Sequence, residues 1–239
     1  MITLNVGCSG TVNWIQTKTN SLRRFPPGAR YLIGVSGGRD SVMLLDAIAD
    51  LDYRKLIVCH FDHQLRGRSS RADARFVEKL AAKYDVDLEI GSADVRAVAN
   101  HRKMSIETAA REARYSFFAK MAKQRRCQTI FLAHHADDLV ETFLINLFRG
   151  AGLTGLAAMR EVSMRRIEDV DLTIVRPLLG VWRDEIDRYV RQHRLKFRED
   201  ASNKNLALLR NRFRRRIVPG HESKATRQAW QRAFALSGE

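Results

Sequence analysis

Two adjacent glycines, Gly37 and Gly38, stand between an apolar run and an amphipathic stretch, and this junction constrains the fold more than any other feature of the chain. Arg30–Ser36 (RYLIGVS) has the continuous apolar character of a strand covered on both faces, while Asp40–Leu51 repeats its apolar residues at helical spacing. A strand that turns through glycine directly into a helix opens a strand–helix–strand unit. The chain continues in that style. Lys55–Phe61 (KLIVCHF), Val86–Ile90 and Gln128–Ala133 (QTIFLA) read as strands, and Ala72–Tyr84, Ser105–Gln124 and Asp137–Arg149 as helices, the last closed by Gly150. Ser105, with Thr108 three residues on, gives the long helix a partial cap signal. This alternation predicts an α/β fold, a parallel sheet flanked by helices, with ligands bound beyond the carboxyl ends of the strands where strand order reverses.

From about Arg160 the pattern changes. Thr173–Leu179 (TIVRPLL) reads as a strand entering a proline turn, Val181–His193 as a helix and Leu206–Arg216 as a strongly basic helix. The expected organisation is an N-terminal segment over residues 1–29, a catalytic domain over 30–180 and a basic helical extension over 181–239, with a loose boundary near Pro177–Gly180. No internal repeat or low-complexity stretch interrupts it.

Charge bears on what that extension meets. Lysine and arginine number 42 against 27 acidic residues, a net charge of +15, and the pI is near 10.4. Such an excess favours polyanions, nucleic acid above all, although a merely soluble basic surface has the same composition. Arg210, Asn211 and Arg214 lie where arginines crowd most densely, and arginine forks suit phosphates; a solvated charged face is the alternative. Trp182, Phe197, Phe213 and Trp230 have the chemistry to stack a base, but core packing is the plainer reading. Cys8, Cys59 and Cys127 form no CxxC pair, which argues against a disulfide framework or a zinc ribbon. There is no long apolar run and no signal-peptide pattern at the start, so the expectation is a soluble, cytoplasmic protein with no membrane partner.

Ser36-Gly37-Gly38-Arg39-Asp40-Ser41 carries the chemistry of the glycine junction. Glycines let the backbone turn tightly and approach an anion, and the amides and positive end of the following helix then cradle phosphates. Ser36 and Ser41 can donate hydroxyl bonds to phosphate oxygens. Asp40 beside phosphates is repulsive unless a divalent cation bridges them, which implies Mg²⁺. The loop lacks the Gly-Lys-Ser/Thr of a Walker A sequence. The alternative is a glycine turn that only joins strand to helix.

Further along, His134, Asp138 and Glu141 stand at i, i+4 and i+7, a spacing that puts them on one helical face. Two carboxylates and a histidine can hold an ammonium group and help remove its proton before attack. A solvated polar face, or a satisfied interior histidine, is the competing view, and zinc is disfavoured because the spacing is not HExxH. Glu107, Arg111 and Arg114 repeat the same spacing, and a cation there can neutralise phosphate charge. The plain alternative is a surface Glu–Arg pair worth about 0.3–0.5 kcal/mol.

The loop matches SGGxDS, the signature of the PP-loop ATP pyrophosphatases. The motifs around it occur in order: His60-Phe61-Asp62-His63-Gln64-Leu65-Arg66-Gly67, Ile106-Glu107 through Arg111-Glu112-Ala113-Arg114-Tyr115, and Ala133-His134-His135-Ala136-Asp137-Asp138-Leu139-Val140-Glu141-Thr142. Arg149-Gly150-Ala151-Gly152, Val175-Arg176-Pro177-Leu178-Leu179, and Glu199-Asp200-Ala201-Ser202-Asn203 with Arg210-Asn211 follow. Each is weak alone, but the succession resembles the tRNA(Ile)-lysidine synthase family over most of the chain.

That resemblance implies ATP and Mg²⁺ as cofactors, and as partners free L-lysine and a tRNA(Ile) with a CAU anticodon. The C2 oxygen of the wobble cytidine is adenylated, and the lysine ε-amine then displaces AMP. The resemblance also implies nucleotide contact along Ser36–Ser41 and at His60 and Phe61, a lysine and catalytic site around Asp40, His134, Asp138, Glu141, Arg111 and Arg114, and tRNA contact at Arg210, Asn211 and Arg214. A homodimer is an arrangement it allows. The chain departs from the pattern at Leu139, where many relatives carry Gln, and at Arg39, a charge in the variable position of the loop. Relatives commonly carry further C-terminal domains, which leaves open a minimal form relying on its charge, a truncated gene, or altered recognition. Rival readings are a tRNA thiolation enzyme of the same class, a small-molecule amidating ligase, and an RNA-binding relic without activity.

Overall fold

The computed structural model describes residues 15, 19–65, 67–150, 159–199, 226, 227, 229 and 230. Six strands form one sheet: β1 (Tyr31–Gly34), β2 (Leu56–Asp62), β3 (Asp87–Ser92), β4 (Thr129–Phe131), β5 (Val162–Ile167) and β6 (Val170–Val175). Their order is β3-β2-β1-β4-β6-β5. The helices between them are α1 (Arg39–Asp50), α2 (Arg68–Tyr84), α3 (Val95–Arg102), α4 (Ile106–Gln124), α5 (Ala136–Phe148) and α6 (Arg183–Gln192).

Strand residues alternate strictly between two cores, as the period of two requires. Tyr31, Ile33, Leu56, Val58, Phe131 and Val175 face a core shared with α1, α2 and α6, through residues such as Met43, Val77 and Ile186. Leu32, Ile57, Cys59, Ile130, Leu172 and Ile174 face the other, where α4 supplies Tyr115, Phe118 and Ala122. The sheet is therefore buried on both sides, which is why its strands read as unbroken apolar runs.

All pairings are parallel except β5 with β6, an antiparallel hairpin closed by a two-residue turn with Glu168 at φ 53. The sequence reading placed no strand at Val162–Ile167, because Ser-Met-Arg-Arg lacks the apolar run of the others; an edge strand needs only one covered face and tolerates charge. The strand expected over Thr173–Leu179 lies earlier, at Val170–Val175, and Arg176–Gly180 forms turns instead. Helix α3 was likewise unforeseen: Asp94 caps it, accepting from the amides of Arg96 and Ala97. Ser105 caps α4 by accepting from the Thr108 amide at 3.0 Å.

Val181, Ile186, Tyr189 and Val190 pack in the same core as α1, so residues on both sides of position 180 share one interior. The basic helix expected over Leu206–Arg216 lies outside the described residues. No helix among the described residues is long and apolar enough to cross a membrane.

Candidate active site

The sheet order fixes where the site lies. From β1 the chain moves outward through β2 to β3 and then returns to place β4 on the other side of β1. The reversal falls between β1 and β4, and ligands of such sheets bind outside the carboxyl ends of the strands at that crevice. The loop leaving β1 is Ser36–Gly38, and the loop leaving β4 is 132–135. Two motifs far apart in sequence thus become neighbours.

The first loop is built as an anion cradle. Gly37 holds φ +86, a left-handed conformation, and its α-carbon is pressed on Phe76, whose Cδ1 would lie 3.3 Å from an added Cβ. Its carbonyl accepts from the Arg198 amide at 2.9 Å, so Gly37 is a buried corner rather than part of the opening. Gly38 faces outward as the N-cap of α1, where a Cβ would meet only Ser36 Oγ at 3.3 Å. Ser41 Oγ donates to the Gly38 carbonyl at 2.9 Å and accepts from the Ser36 amide at 3.2 Å, closing the loop on itself. Helix geometry leaves the amides of Arg39, Asp40 and Ser41 without an intrahelical acceptor, and these sit at the positive end of the macrodipole.

A cavity of about 200 Å³ opens over this loop. Ser36, Gly38, Asp40 and Ser41 form its polar floor. Cys59, Phe61, Phe118 and Leu132 form an apolar wall, and His63, Arg114 and His134 its rim. A polar floor suited to phosphates beside an apolar wall suited to a flat base fits an adenine nucleotide. Asp40, the carboxylate among the described lining residues, fits the oxygen donor set that Mg²⁺ takes alongside phosphates.

Beneath the rim, charged side chains from three elements meet. His135, buried at the N-cap of α5, has Nε2 3.8 Å from Asp40 and 3.5 Å from Asp138, and Nδ1 3.4 Å from Asp137. Burial alone disfavours its charged form, but the carboxylates of Asp138, Asp137 and Asp40 outweigh burial and raise its pKa. Arg183, the first residue of α6, places Nη1 3.0 Å from each oxygen of Asp40, and its amide donates to Asp137 at 2.9 Å. His134 behaves oppositely. Burial, with the charges of Arg176, Arg114 and Arg111, outweighs Asp138 and lowers its pKa to about 3. His63 falls to about 4, again through burial first and Arg114 second.

The structure brings together some of the residues singled out from sequence and separates others. Ser36, Gly38, Asp40, Ser41, Phe61, Arg114 and His134 line the cavity. Asp138 lies just behind it, against His135. Glu141 is buried at 1% exposure on the inner side of α5, next to Val140. His134 does not belong to the helix as the i, i+4, i+7 spacing suggested; it precedes α5, and only Asp138 and Glu141 are helical. His60 points away from the cavity, its Nδ1 2.9 Å from the Val35 carbonyl. Arg39 turns to α6, paired with Asp187 and stacked over Phe197. Arg111 lies over the Tyr115 ring outside the cavity. Arg66, Arg210, Asn211 and Arg214 lie outside the described residues. Arg183 and His135 were missed: the first sits in another helix far along the chain, and the second adjoins a histidine already fitted to the helical spacing.

A cavity with a polar floor and an apolar wall over a serine–glycine loop, set at the reversal point of a mostly parallel sheet, defines a nucleotide-binding α/β domain. Comparison with known families places it further. The chain belongs to the ATP-binding family described as the PP-loop domain, whose model matches residues 12–221. Among curated relatives, the tRNA(Ile)-lysidine synthase of Geobacter sulfurreducens is 44% identical over 197 residues, covering 82% of this chain and 41% of that protein. The synthase of Porphyromonas gingivalis is 39% identical over 208 residues, covering 87% and 44%. That of Bacillus subtilis is 38% identical over 194 residues, covering 80% and 40%. The chain thus spans less than half the length of these relatives. Among solved structures, a U34-tRNA thiolase from Methanococcus maripaludis superposes with a TM-score of 0.72 at 13% identity, covering 93% of this chain and 76% of that one. An NH₃-dependent NAD synthetase from Campylobacter jejuni gives a TM-score of 0.50 at 14% identity, covering 95% and 93%. These two likenesses are of fold.

Proposed function

We propose that this chain is the ATP-using catalytic part of a tRNA(Ile)-lysidine synthase. ATP would lie with its phosphates on Ser36–Ser41 and its base against Phe61 and Phe118; Asp40 would hold Mg²⁺, which would supply charge neutralisation at the phosphates. The C2 oxygen of the wobble cytidine attacks the α-phosphorus, and pyrophosphate leaves. The ε-amine of free lysine then forms a bond to C2 as the C2–oxygen bond breaks and AMP departs.

The amine has an ordinary pKa of about 10.4 and must lose a proton to act. Asp138 and Glu141 provide the negative charge that holds its ammonium form. His134, kept neutral by burial and by its arginine neighbours, is a hydrogen-bonding group and a poor proton acceptor, so proton removal falls to the carboxylates. One observation carries this reading: His135 lies between Asp40 of the proposed phosphate loop and Asp138 of the proposed amine-binding helix, at 3.8 and 3.5 Å, so the two groups of residues meet at one side chain. The names of the curated relatives support the substrate assignment.

The experiment is incubation of the protein with ATP, Mg²⁺, radiolabelled lysine and a CAU-anticodon tRNA(Ile). Label should enter the RNA in an ATP-dependent manner, and Asp138→Asn should reduce this on the order of 100-fold. ATP turnover with no lysine transferred refutes the assignment.

A further inference from the structure

Beside the cavity, four guanidinium groups converge on one phenol. Tyr115 of α4 is 1% exposed, and the guanidinium carbons of Arg165, Arg111 and Arg114 lie 4.6, 5.4 and 5.8 Å from its ring centroid. Arg176, itself buried, interacts with the Tyr115 hydroxyl and donates from Nη1 to the Arg160 carbonyl at 2.8 Å and to Ser163 Oγ at 2.9 Å. Its Nε is buried without a hydrogen-bond partner, as is Nδ1 of the adjacent His134.

Among the described residues no carboxylate pairs with Arg111, Arg165 or Arg176. The contrast along β5 is direct: Arg166, on the outward face, has Asp171 at 2.7 Å, whereas Arg165, turned to Tyr115, has a ring and like charges. Near the two ends of α4 the ordinary arrangement returns, as in Arg102 with Glu112 and Arg125 with Glu89. Three guanidinium groups gathered on one tyrosine, with no carboxylate paired to them among the described residues, cost free energy, which an incoming anion relieves. Arginine stacked on an aromatic ring is pre-oriented, and its planar fork fits phosphate oxygens.

Position selects the kind of phosphate. Strand β5 is the third neighbour of β1 across β4 and β6, roughly 14 Å away at about 4.8 Å per strand. A phosphate beside Arg165 is therefore set across two intervening strands from the Ser36–Ser41 loop, and Arg114, which lies over the same ring and lines the cavity, joins the two places. We infer that Arg111 and Arg165, gathered on Tyr115 and backed by buried Arg176, bind a backbone phosphate of a polynucleotide next to the nucleotide that enters the cavity. This rests on the polynucleotide substrate proposed above, and it adds to that reading a docking point on β5 and α4, outside the nucleotide loop.

The test is fluorescence anisotropy of the 239-residue protein with a labelled RNA hairpin bearing a CAU loop, titrated against NaCl. Arg165→Gln should weaken binding about 5- to 10-fold and reduce the slope of log affinity against log salt by about 0.7–0.9, the loss of one phosphate contact. Arg165→Lys should keep the slope. If Arg165→Gln does not fold, Arg111→Gln on the exposed side of α4 carries the same expectation. Unchanged affinity and slope overturn the proposal. So does a variant that loses affinity for inorganic pyrophosphate while binding RNA normally. Salt-sensitive RNA binding that depends on Arg165, in a protein that transfers no lysine, would sink the ligase reading and leave this docking point standing. Lysine transfer with RNA binding indifferent to Arg165 would do the reverse.

Discussion

Arg183 Nη1 lies 3.0 Å from both carboxylate oxygens of Asp40, joining the first turn of α6 to the first turn of α1 across the mouth of the site. The two side chains are 32% and 29% exposed, so the pair contributes no more than about 1 kcal/mol to stability. Under the proposed function its value is to orient Asp40 beside the phosphates. Arg183→Ala should leave the melting temperature within a few degrees of the parent and slow pyrophosphate release tenfold or more, about 1.4 kcal/mol of barrier. Asp40→Ala should abolish release. A pyrophosphate-coupled assay with a parallel melt separates the two effects, and near-parent release from Asp40→Ala would remove this residue from the chemistry.

The two glycines should respond differently to the same methyl group. Gly37→Ala forces a left-handed residue and a 3.3 Å contact with Phe76, which should cost about 1–2 kcal/mol and lower the melting temperature by several degrees. Gly38→Ala has an ordinary backbone conformation and should fold normally, but it adds a methyl to the cradle floor and should weaken ATP binding about tenfold. Calorimetric titration with a non-hydrolysable ATP analogue, beside a thermal melt, reads both.

Three histidines around the site set opposite pH trends. The unfolded chain protonates each near pH 6.5, whereas folded His63 resists to about pH 4 and His134 to about pH 3. Unfolding therefore takes up protons below pH 6.5, and stability falls as pH drops through that window, each ring steepening the acid limb by up to about 1.4 kcal/mol per pH unit. His135 has a raised pKa, so its contribution is complete below pH 6.5 and is lost as pH rises through the folded value. Urea unfolding from pH 4 to 8 should show the acid limb flattened in His134→Gln and the alkaline decline removed in His135→Gln. Identical limbs in the parent and His134→Gln would show that this ring is not held neutral.

Cys59 lines the cavity, yet burial first, and Glu89 second, push its thiol well above the ordinary range. It should resist iodoacetamide at pH 8 in the native protein and react after denaturation, as mass spectrometry of the tryptic peptide would show. Rapid native labelling would reopen a thiol-based chemistry for this cavity.

How much of this was legible in the sequence follows from the range of each interaction. Strands β1, β2 and β4 were readable because burial on both faces writes itself as a continuous apolar run, and Ser36–Ser41 because a glycine turn into a helix is a local event. Strand β5 was hidden because one exposed face and two arginines mask a strand held by its partner. Asp138 was legible as an acid near a strand end, but the spacing that drew in His134 treated a loop residue as helical. Arg183 could not be found locally at all: what recruits it is the packing of α6 on α1, through residues such as Ile186, which decides where its side chain ends. His60 and Phe61 read alike in sequence, but adjacent strand residues point to opposite faces, so the Phe61 ring reaches the cavity and the His60 ring the Val35 carbonyl.

The Arg198 amide that bonds the Gly37 carbonyl makes the floor of the site and the path of the chain beyond α6 a single mechanical unit. Tension or displacement delivered to residues 195–199 has to drag that carbonyl or break its bond, and either event reshapes the corner on which the phosphate seat is folded. Whatever engages residues 195–199 thereby acts on the glycine corner beneath the proposed nucleotide seat.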